Sequence, residues 1–207
     1  MVNKLIVSQG SQAIQLVREL FSCNVRPENI YVLTIQDSKN NCFVKFLQYY
    51  KINYMYIDKH TFDSKIQLLL QKENIDLVIS LSNPFKFSES ILEHNCKFIN
   101  FHPGILPNYK GSLSTVYSII NGENTVGGTW HYITGNVDCG NIIEIVKINV
   151  DSIDNAFSLN HKIFSLGIRR LEVVLRLVKD GWSGIKQEGK GIFYLNKFPD
   201  ISNLEKK

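Results

Sequence analysis

Through the first half of this chain, short apolar runs alternate with longer amphipathic ones, and few folds can absorb that rhythm. Leu5-Ile6-Val7 reads as a strand. Gln12 to Phe21 reads as a helix, because Ile14, Leu16, Val17, Leu20 and Phe21 recur at helical spacing. Ile30-Tyr31-Val32-Leu33 and Tyr54-Met55-Tyr56-Ile57 are further strands, with helices over Phe43 to Tyr50 and around Ile66 to Leu70. Asp76-Leu77-Val78-Ile79-Ser80-Leu81 is the clearest buried strand, and Lys97 to Asn100 the next. Strands that alternate with helices line up in parallel, the helices serving as crossovers. The expected fold class is therefore α/β, with a doubly wound, mostly parallel sheet.

The second half has a different pattern. Leu113 to Ile120 is an expected helix ended by Asn121-Gly122. Thr129 to Ile133 and Ile142 to Val146 resemble strands flanking a loop that holds Asp138. Asn155 to Val178 reads as one long amphipathic helix, capped by Asp151 or Asp154 and ended at Gly181. Gly184 to Tyr194 reads as a final hairpin-like piece. With no repeat, low-complexity tract or linker, the reading is one domain over residues 1–182 and a short C-terminal appendage over 183–207.

Composition narrows the class of function. The net charge of +4 is spread along 207 residues rather than gathered in a block, which argues against a nucleic-acid partner. Glu205-Lys206-Lys207 is too short for a nucleic-acid arm. Cysteines at 23, 42, 96 and 139 include no C-x-x-C pair, so neither a zinc site nor a disulfide framework is expected. The apolar run near Met1 is too short for a signal peptide, and no run approaches the roughly 20 apolar residues of a membrane span. The expectation is a reduced, cytoplasmic protein with no metal and no membrane partner.

The chemistry gathers at Asn100-Phe101-His102-Pro103-Gly104-Ile105-Leu106-Pro107 and at Asp138 in Asn136-Val137-Asp138-Cys139-Gly140. If Lys97 to Asn100 is a strand, Asn100 and His102 point to one face of the sheet. Pro103 and Pro107 end that strand and stiffen the loop after it. Open α/β sheets place their chemistry at such a carboxyl end. An imidazole moves protons near neutral pH, an amide N–H stabilises an oxyanion, and a carboxylate folded back onto them would orient the ring. That set suits attack of an amine on a carbonyl. Taken singly, each residue also has a plain structural reading: Asn100 as a strand-end turn residue, His102 as packing, Asp138 as a turn former.

The stretch from Asn100 through Pro107 to Asn108-Tyr109-Lys110-Gly111 resembles the signature of the folate-dependent formyltransferases, which include glycinamide ribonucleotide, methionyl-tRNA and amino-sugar N-formyltransferases. The likeness continues through Asn121-Gly122-Glu123, Gly128-Thr129-Trp130-His131-Tyr132 and Val137 to Ile143. The 36-residue interval from His102 to Asp138 is that of the glycinamide ribonucleotide enzymes. Strong similarity covers about residues 76–150. The resemblance implies a Rossmann-like fold, with Asn100 polarising a formyl carbonyl, His102 managing proton and oxyanion, and Asp138 orienting or ionising His102. It implies 10-formyltetrahydrofolate as formyl donor, its pteridine seated between Leu81 to Phe87 and Thr134 to Asp138. The cofactor-side residues are then Leu81, Phe85, Phe87, Thr134, Gly135 and Val137. His131 matches a recurrent position, with a supporting or packing role.

The acceptor is less sharply marked. The glycine-rich phosphate loop of the glycinamide ribonucleotide enzymes is only partly matched at Ser8-Gln9-Gly10-Ser11-Gln12, although a helix start there suits an anion. Phe164 stands near the place of an expected glutamate. Residues 183–207 do not supply the C-terminal domain of the methionyl-tRNA enzymes, and the regulatory domain of formyltetrahydrofolate hydrolase has no counterpart. Lys110 is similar to the basic residue of the sugar and tRNA enzymes, and Gln187 to Tyr194 faintly resembles the segment after the core of amino-sugar enzymes. The expected acceptor is a small nucleotide- or phosphate-bearing amine, an amino-sugar nucleotide first and a ribonucleotide amine second, met by Gly10, Ser11 and Lys110. Formyltetrahydrofolate hydrolysis and an inactive folate-binding module are the competing classes, and a homodimer is the assembly considered.

Overall fold

The structure, a computed structural model, describes residues 3–37, 41–195 and 197. Within it the alternation resolves into five parallel strands: β1 (Asn3–Ser8), β2 (Ile30–Ile35), β3 (Asn53–Ile57), β4 (Ile75–Leu81) and β5 (Lys97–His102). A short β6 (Tyr109–Gly111) leaves the sheet, and β7 (Thr125–Tyr132) and β8 (Ile142–Asn149) return to it antiparallel. The order is β3-β2-β1-β4-β5-β7-β8. Succession reverses between β1 and β4, which opens a crevice at the carboxyl ends of the strands.

Helices cover both faces. On one, α1 (Gly10–Ser22), α2 (Asn41–Tyr49), α6 (Ala156–Arg169) and α7 (Leu171–Lys179) bury Ile6, Leu77, Ile79, Leu81, Ile99 and Phe101. On the other, α3 (Phe62–Lys72) and the single turn α4 (Glu89–Leu92) cover Leu5, Val7, Val78 and Phe98. From Leu77 to Ile79 of β4 and from Phe98 to Ile99 of β5, the alternation between the two cores is the period of two that pleated strands impose. The seventh helix, α5 (Ser114–Ile120), begins after Leu113 and is closed by Asn121 and a left-handed Gly122.

The expected single helix over Asn155 to Val178 is in fact two. Trp130 Nε1 donates to the Gly167 carbonyl at 2.8 Å, and Arg170 N reaches the same oxygen at 3.2 Å. A side chain that captures a helical carbonyl interrupts the ladder, and α6 gives way to α7 at Arg170. The N-cap is Asn155, in a reciprocal capping box with Ser158, rather than Asp151 or Asp154. Those two aspartates instead hold Lys162, at 3.3 and 2.8 Å. The closing residue is as read, with Gly181 left-handed at φ 79°.

The tail is not a hairpin. Ile185 bridges antiparallel to Ile142, and β9 (Ile192–Tyr194) runs parallel to β6. Residues 196 and 198–207 of the proposed appendage, including Glu205-Lys206-Lys207, lie outside the described residues.

Phe101 occupies the middle of the larger core, its ring 5.1 Å from that of Trp130 and 5.5 Å from that of Phe164. A Cβ added at Gly167 would stand 2.1 Å from Phe101 Cζ. Gly167→Ala must therefore push the ring beside His102, at a cost of about 1–3 kcal/mol by the usual magnitude of overpacking. Urea unfolding should show that loss, and unchanged stability would mean that this ring is not tightly seated.

Candidate active site

At the carboxyl end of β5, Ile99 and Phe101 are buried in the core while Asn100 and His102 face the other side of the sheet. Neighbouring strands add to that face. Ser80 of β4 lies opposite Asn100, and on β7 His131 pairs with Asn100 and Thr129 with His102. Thr129 also holds the loop that leaves His102, donating to the Gly104 carbonyl at 2.7 Å and accepting from Leu106 N at 3.1 Å. Ser114 donates to the Pro103 carbonyl at 2.7 Å. At Gly104 a Cβ would stand 2.6 Å from His102 Nε2 and 2.5 Å from the Tyr109 carbonyl oxygen, so the close turn under the imidazole requires glycine.

The loop between β7 and β8 folds back over this face and buries Asp138, at a left-handed φ of 54°. Its Oδ2 accepts from Gly111 N at 2.8 Å and lies 3.5 Å from His102 Nδ1. Its Oδ1 lies 3.5 Å from His131 Nε2. Asn100 Nδ2 is 3.1 Å from His131 Nε2, and His131 Nδ1–H donates to the Tyr132 carbonyl at 2.8 Å. Asn100, His102, His131 and Asp138 thus form one cluster.

The carbonyl of Tyr109 accepts from His102 Nε2, which places the lasting imidazole proton there. The nitrogen that gains and loses a proton is then Nδ1, the one facing Asp138. Burial pushes the His102 pKa below the ordinary 6.5; Asp138 and the Tyr109 carbonyl pull it up and His131 pushes it down, but burial prevails. Burial alone would raise Asp138. The His131 contact, the field of the two histidines and the Gly111 amide outweigh it, leaving this carboxyl below its ordinary range. Near neutral pH the arrangement is a neutral imidazole beside a carboxylate.

A cleft of about 110 Å³ opens beside the cluster, lined among others by Phe85, Phe87, Ile133, Thr134 and Val137 with Asn100, His131 and Asp138. Of the residues read from sequence as donor-side contacts, Phe85, Phe87, Thr134 and Val137 line it. Leu81 does not: the pleat turns its side chain into the opposite core with Leu77 and Ile79. Nor is Gly135 a lining residue; a Cβ there would be 3.5 Å from Glu89 Oε1. Ser80, Asn83, Lys86, Ile133 and Asn136 are lining residues that the sequence did not single out. Asn83 braces the loop, its amide bonding both N and O of Phe85 at 3.0 and 2.8 Å. Asn83, Lys86 and Asn136 fall within the two loops named from sequence, and Ser80 was marked as a polar residue towards the end of a mostly apolar strand.

Gly10 and Ser11 open α1 directly after β1, and Gln9 Nε2 donates to the Ser82 carbonyl at 3.0 Å, drawing that turn against the loop after β4. Lys110 is only 8% exposed. Its ammonium lies under the tail, 3.4 Å from Cys139 Sγ and 3.4 Å from the Lys190 carbonyl, and is not presented at the cleft. No carboxylate stands within ion-pair distance of it among the described residues.

The family model described as formyl transferase matches residues 5–174. GDP-perosamine N-formyltransferase from Brucella melitensis is 37% identical over 101 residues, which are 49% of this chain and 39% of that protein. The alignment thus spans well under two thirds of that relative. An N-formyltransferase from Helicobacter canadensis, solved with folinic acid and dTDP-3-aminofucose, superposes with a TM-score of 0.80 at 18% identity, over 98% of this chain and 74% of that one. Glycinamide ribonucleotide transformylase 1 from Symbiobacterium toebii superposes with a TM-score of 0.76 at 21% identity, over 95% of each chain. At those identities the two structures establish a shared fold.

The His102 environment has a direct readout. In a proton NMR titration the His102 ring should show its midpoint below 6.5, and Asp138→Asn should move it lower still, because the carboxylate is what favours the charged ring. The folded state then binds this proton less readily than the unfolded chain. Stability from this group is complete above pH 6.5 and is lost as pH falls through the folded midpoint. A midpoint at or above 6.5 would contradict the burial argument.

Proposed function

This chain belongs to the formyl transferase family, and from that premise we propose that it moves a formyl group from 10-formyltetrahydrofolate to the primary amine of a small acceptor, an amino-sugar nucleotide. One observation carries the proposal: Asn100, His102 and Asp138 converge with His131 at the edge of a cleft with aromatic and aliphatic walls.

The cleft's chemistry fits a folate. Phe85, Phe87, Ile133 and Val137 offer apolar wall to a flat heterocycle, and main-chain groups of the two loops supply donors and acceptors for its edge. Bound there, the folate supplies a formyl carbon already activated as an N-formyl group. Attack by an amine makes a tetrahedral centre with a negative oxygen and an excess proton on nitrogen. The Asn100 amide keeps an N–H beyond its His131 contact to stabilise that oxygen. The neutral His102 accepts the proton at Nδ1, and Asp138 stabilises the imidazolium until the proton passes to the departing folate nitrogen. The amine is itself the nucleophile, so no serine or cysteine is required.

On the acceptor side, α1 starts at Gly10 and Ser11 directly after β1 and carries no acidic residue in its first turn, and such a helix start suits a phosphate. Lys110, held under the tail, contributes positive field rather than direct contact. The family relatives with nucleotide-sugar chemistry support an amino-sugar nucleotide as the acceptor, including the Helicobacter canadensis protein solved with dTDP-3-aminofucose.

Asn100→Ala, His102→Ala and Asp138→Ala should each lower formyl transfer by about 10²-fold or more, the scale of a lost oxyanion donor or proton-transfer group. Melting temperatures should stay near that of the parent. A parental rate in all three would end the assignment. With 10-formyltetrahydrofolate supplied, tetrahydrofolate release should require an amino-sugar nucleotide. Release that depends on glycinamide ribonucleotide would change the acceptor, and release indifferent to every amine would identify a hydrolase.

A further inference from the structure

The segment after α7 crosses the outside of the Asp138 loop and is fastened at both ends. Upstream, Ile185 and Ile142 exchange main-chain hydrogen bonds of 2.8 Å each, and Asn141 Nδ2 donates to the Ser183 carbonyl at 2.9 Å. Downstream, β9 pairs with β6, and the Tyr194 ring stacks on those of Tyr109 and Tyr117 with centroids 5.6 and 4.1 Å away. Between these anchors Gln187 turns inward. Its Nε2 donates to the carbonyls of Asp138 at 3.0 Å and Gly140 at 2.8 Å, the two residues flanking Cys139.

Two features make this more than a stabilising contact. Asp138 holds a left-handed φ of 54°, which a residue with a Cβ adopts less readily than glycine, so contacts to its main chain help to keep it there. Gln187 also leaves its own Oε1 buried without a partner among the described residues. An unsatisfied buried acceptor opposes folding, which makes a glutamine a poor choice for stability alone. What the side chain provides is an N–H₂ group aimed at two carbonyls of the loop that carries the carboxylate.

We propose that Gln187 is a positioning residue for Asp138. By binding the carbonyls on either side of Cys139, it keeps the carboxylate between His102, His131 and the Gly111 amide. The C-terminal segment is on this view a strap that completes the site from outside the cleft. The effect on rate rests on the formyl-transfer reading, whereas the effect on His102 does not.

The test uses the full chain with Gln187→Ala and Gln187→Glu. The second keeps the size of the side chain and replaces the donor with an oxygen facing two carbonyl oxygens. Both should lower kcat by about tenfold to 10²-fold, the range in which misplacement of about 1 Å is felt. KM for the folate donor should change less than about threefold if groundwork for binding is left in place. In NMR titrations the His102 midpoint should fall below the parental one, because Asp138 and His131 are the ionisable groups that act on that ring and Asp138 has moved. Adding Gln187→Ala to Asp138→Asn should shift it no further. A parental kcat and midpoint in either folded variant would overturn the proposal. So would a loss of rate that follows melting temperature alone while the midpoint stays put. Should Gln187→Ala not fold, Gln187→Glu decides alone. If the parent itself transfers no formyl group, the catalytic reading fails and the titration still decides the positioning role.

Discussion

β5 is held by what it buries. Ile99 and Phe101 lock into the core formed with α6 and Trp130, and the pleat then leaves Asn100 and His102 no choice of face. The whole candidate site hangs from that constraint. Register with β4 brings Ser80 beside Asn100, and register with β7 brings His131 and Thr129 opposite Asn100 and His102. A slip of one residue would turn the polar pair into the core and expose Phe101. The packed Phe101 ring and the His102 imidazole are adjacent residues with opposite demands, and the strand satisfies both.

The electrostatics follow from the same burial. A histidine enclosed this deeply is biased towards its neutral form, while a carboxylate given a main-chain N–H and two imidazoles is biased towards its charged form. Those are the states that a proton acceptor and its counter-ion require. The bias on His102 comes chiefly from its burial, and that on Asp138 chiefly from its contact with His131, to which His102 and the Gly111 amide add. Lys110 is buried close to the same loop without a carboxylate partner among the described residues.

Much of this was legible in the sequence, for identifiable reasons. The strands and most helices announce themselves because apolar runs and helical spacing depend on neighbours in sequence. Asn100 and His102 were placed together by the pleat alone, and Asp138 joined them through a resemblance rather than through spacing. Leu81 was misjudged because a loop contact was assigned without counting which face the last strand residue takes. The break at Arg170 was invisible because its cause, the Trp130 indole, lies 37 positions before the Gly167 carbonyl that it captures. Gln187 went unnoticed as a partner of Asp138 for the same reason, with 49 positions between them.

By itself, then, the sequence determined the alternating strand and helix order, the sidedness of β5, and a signature that places the chain among formyl transferases. Each rests on residues close together in the chain or on a pattern shared with relatives. Tertiary structure alone decided that His131 ties Asn100 to Asp138, that Lys110 is buried, and that the tail pairs with β6 rather than folding as a hairpin. Those outcomes depend on contacts between distant segments. Hydrogen bonds and burial at such junctions are fixed by how the packed elements meet, and no local pattern encodes that.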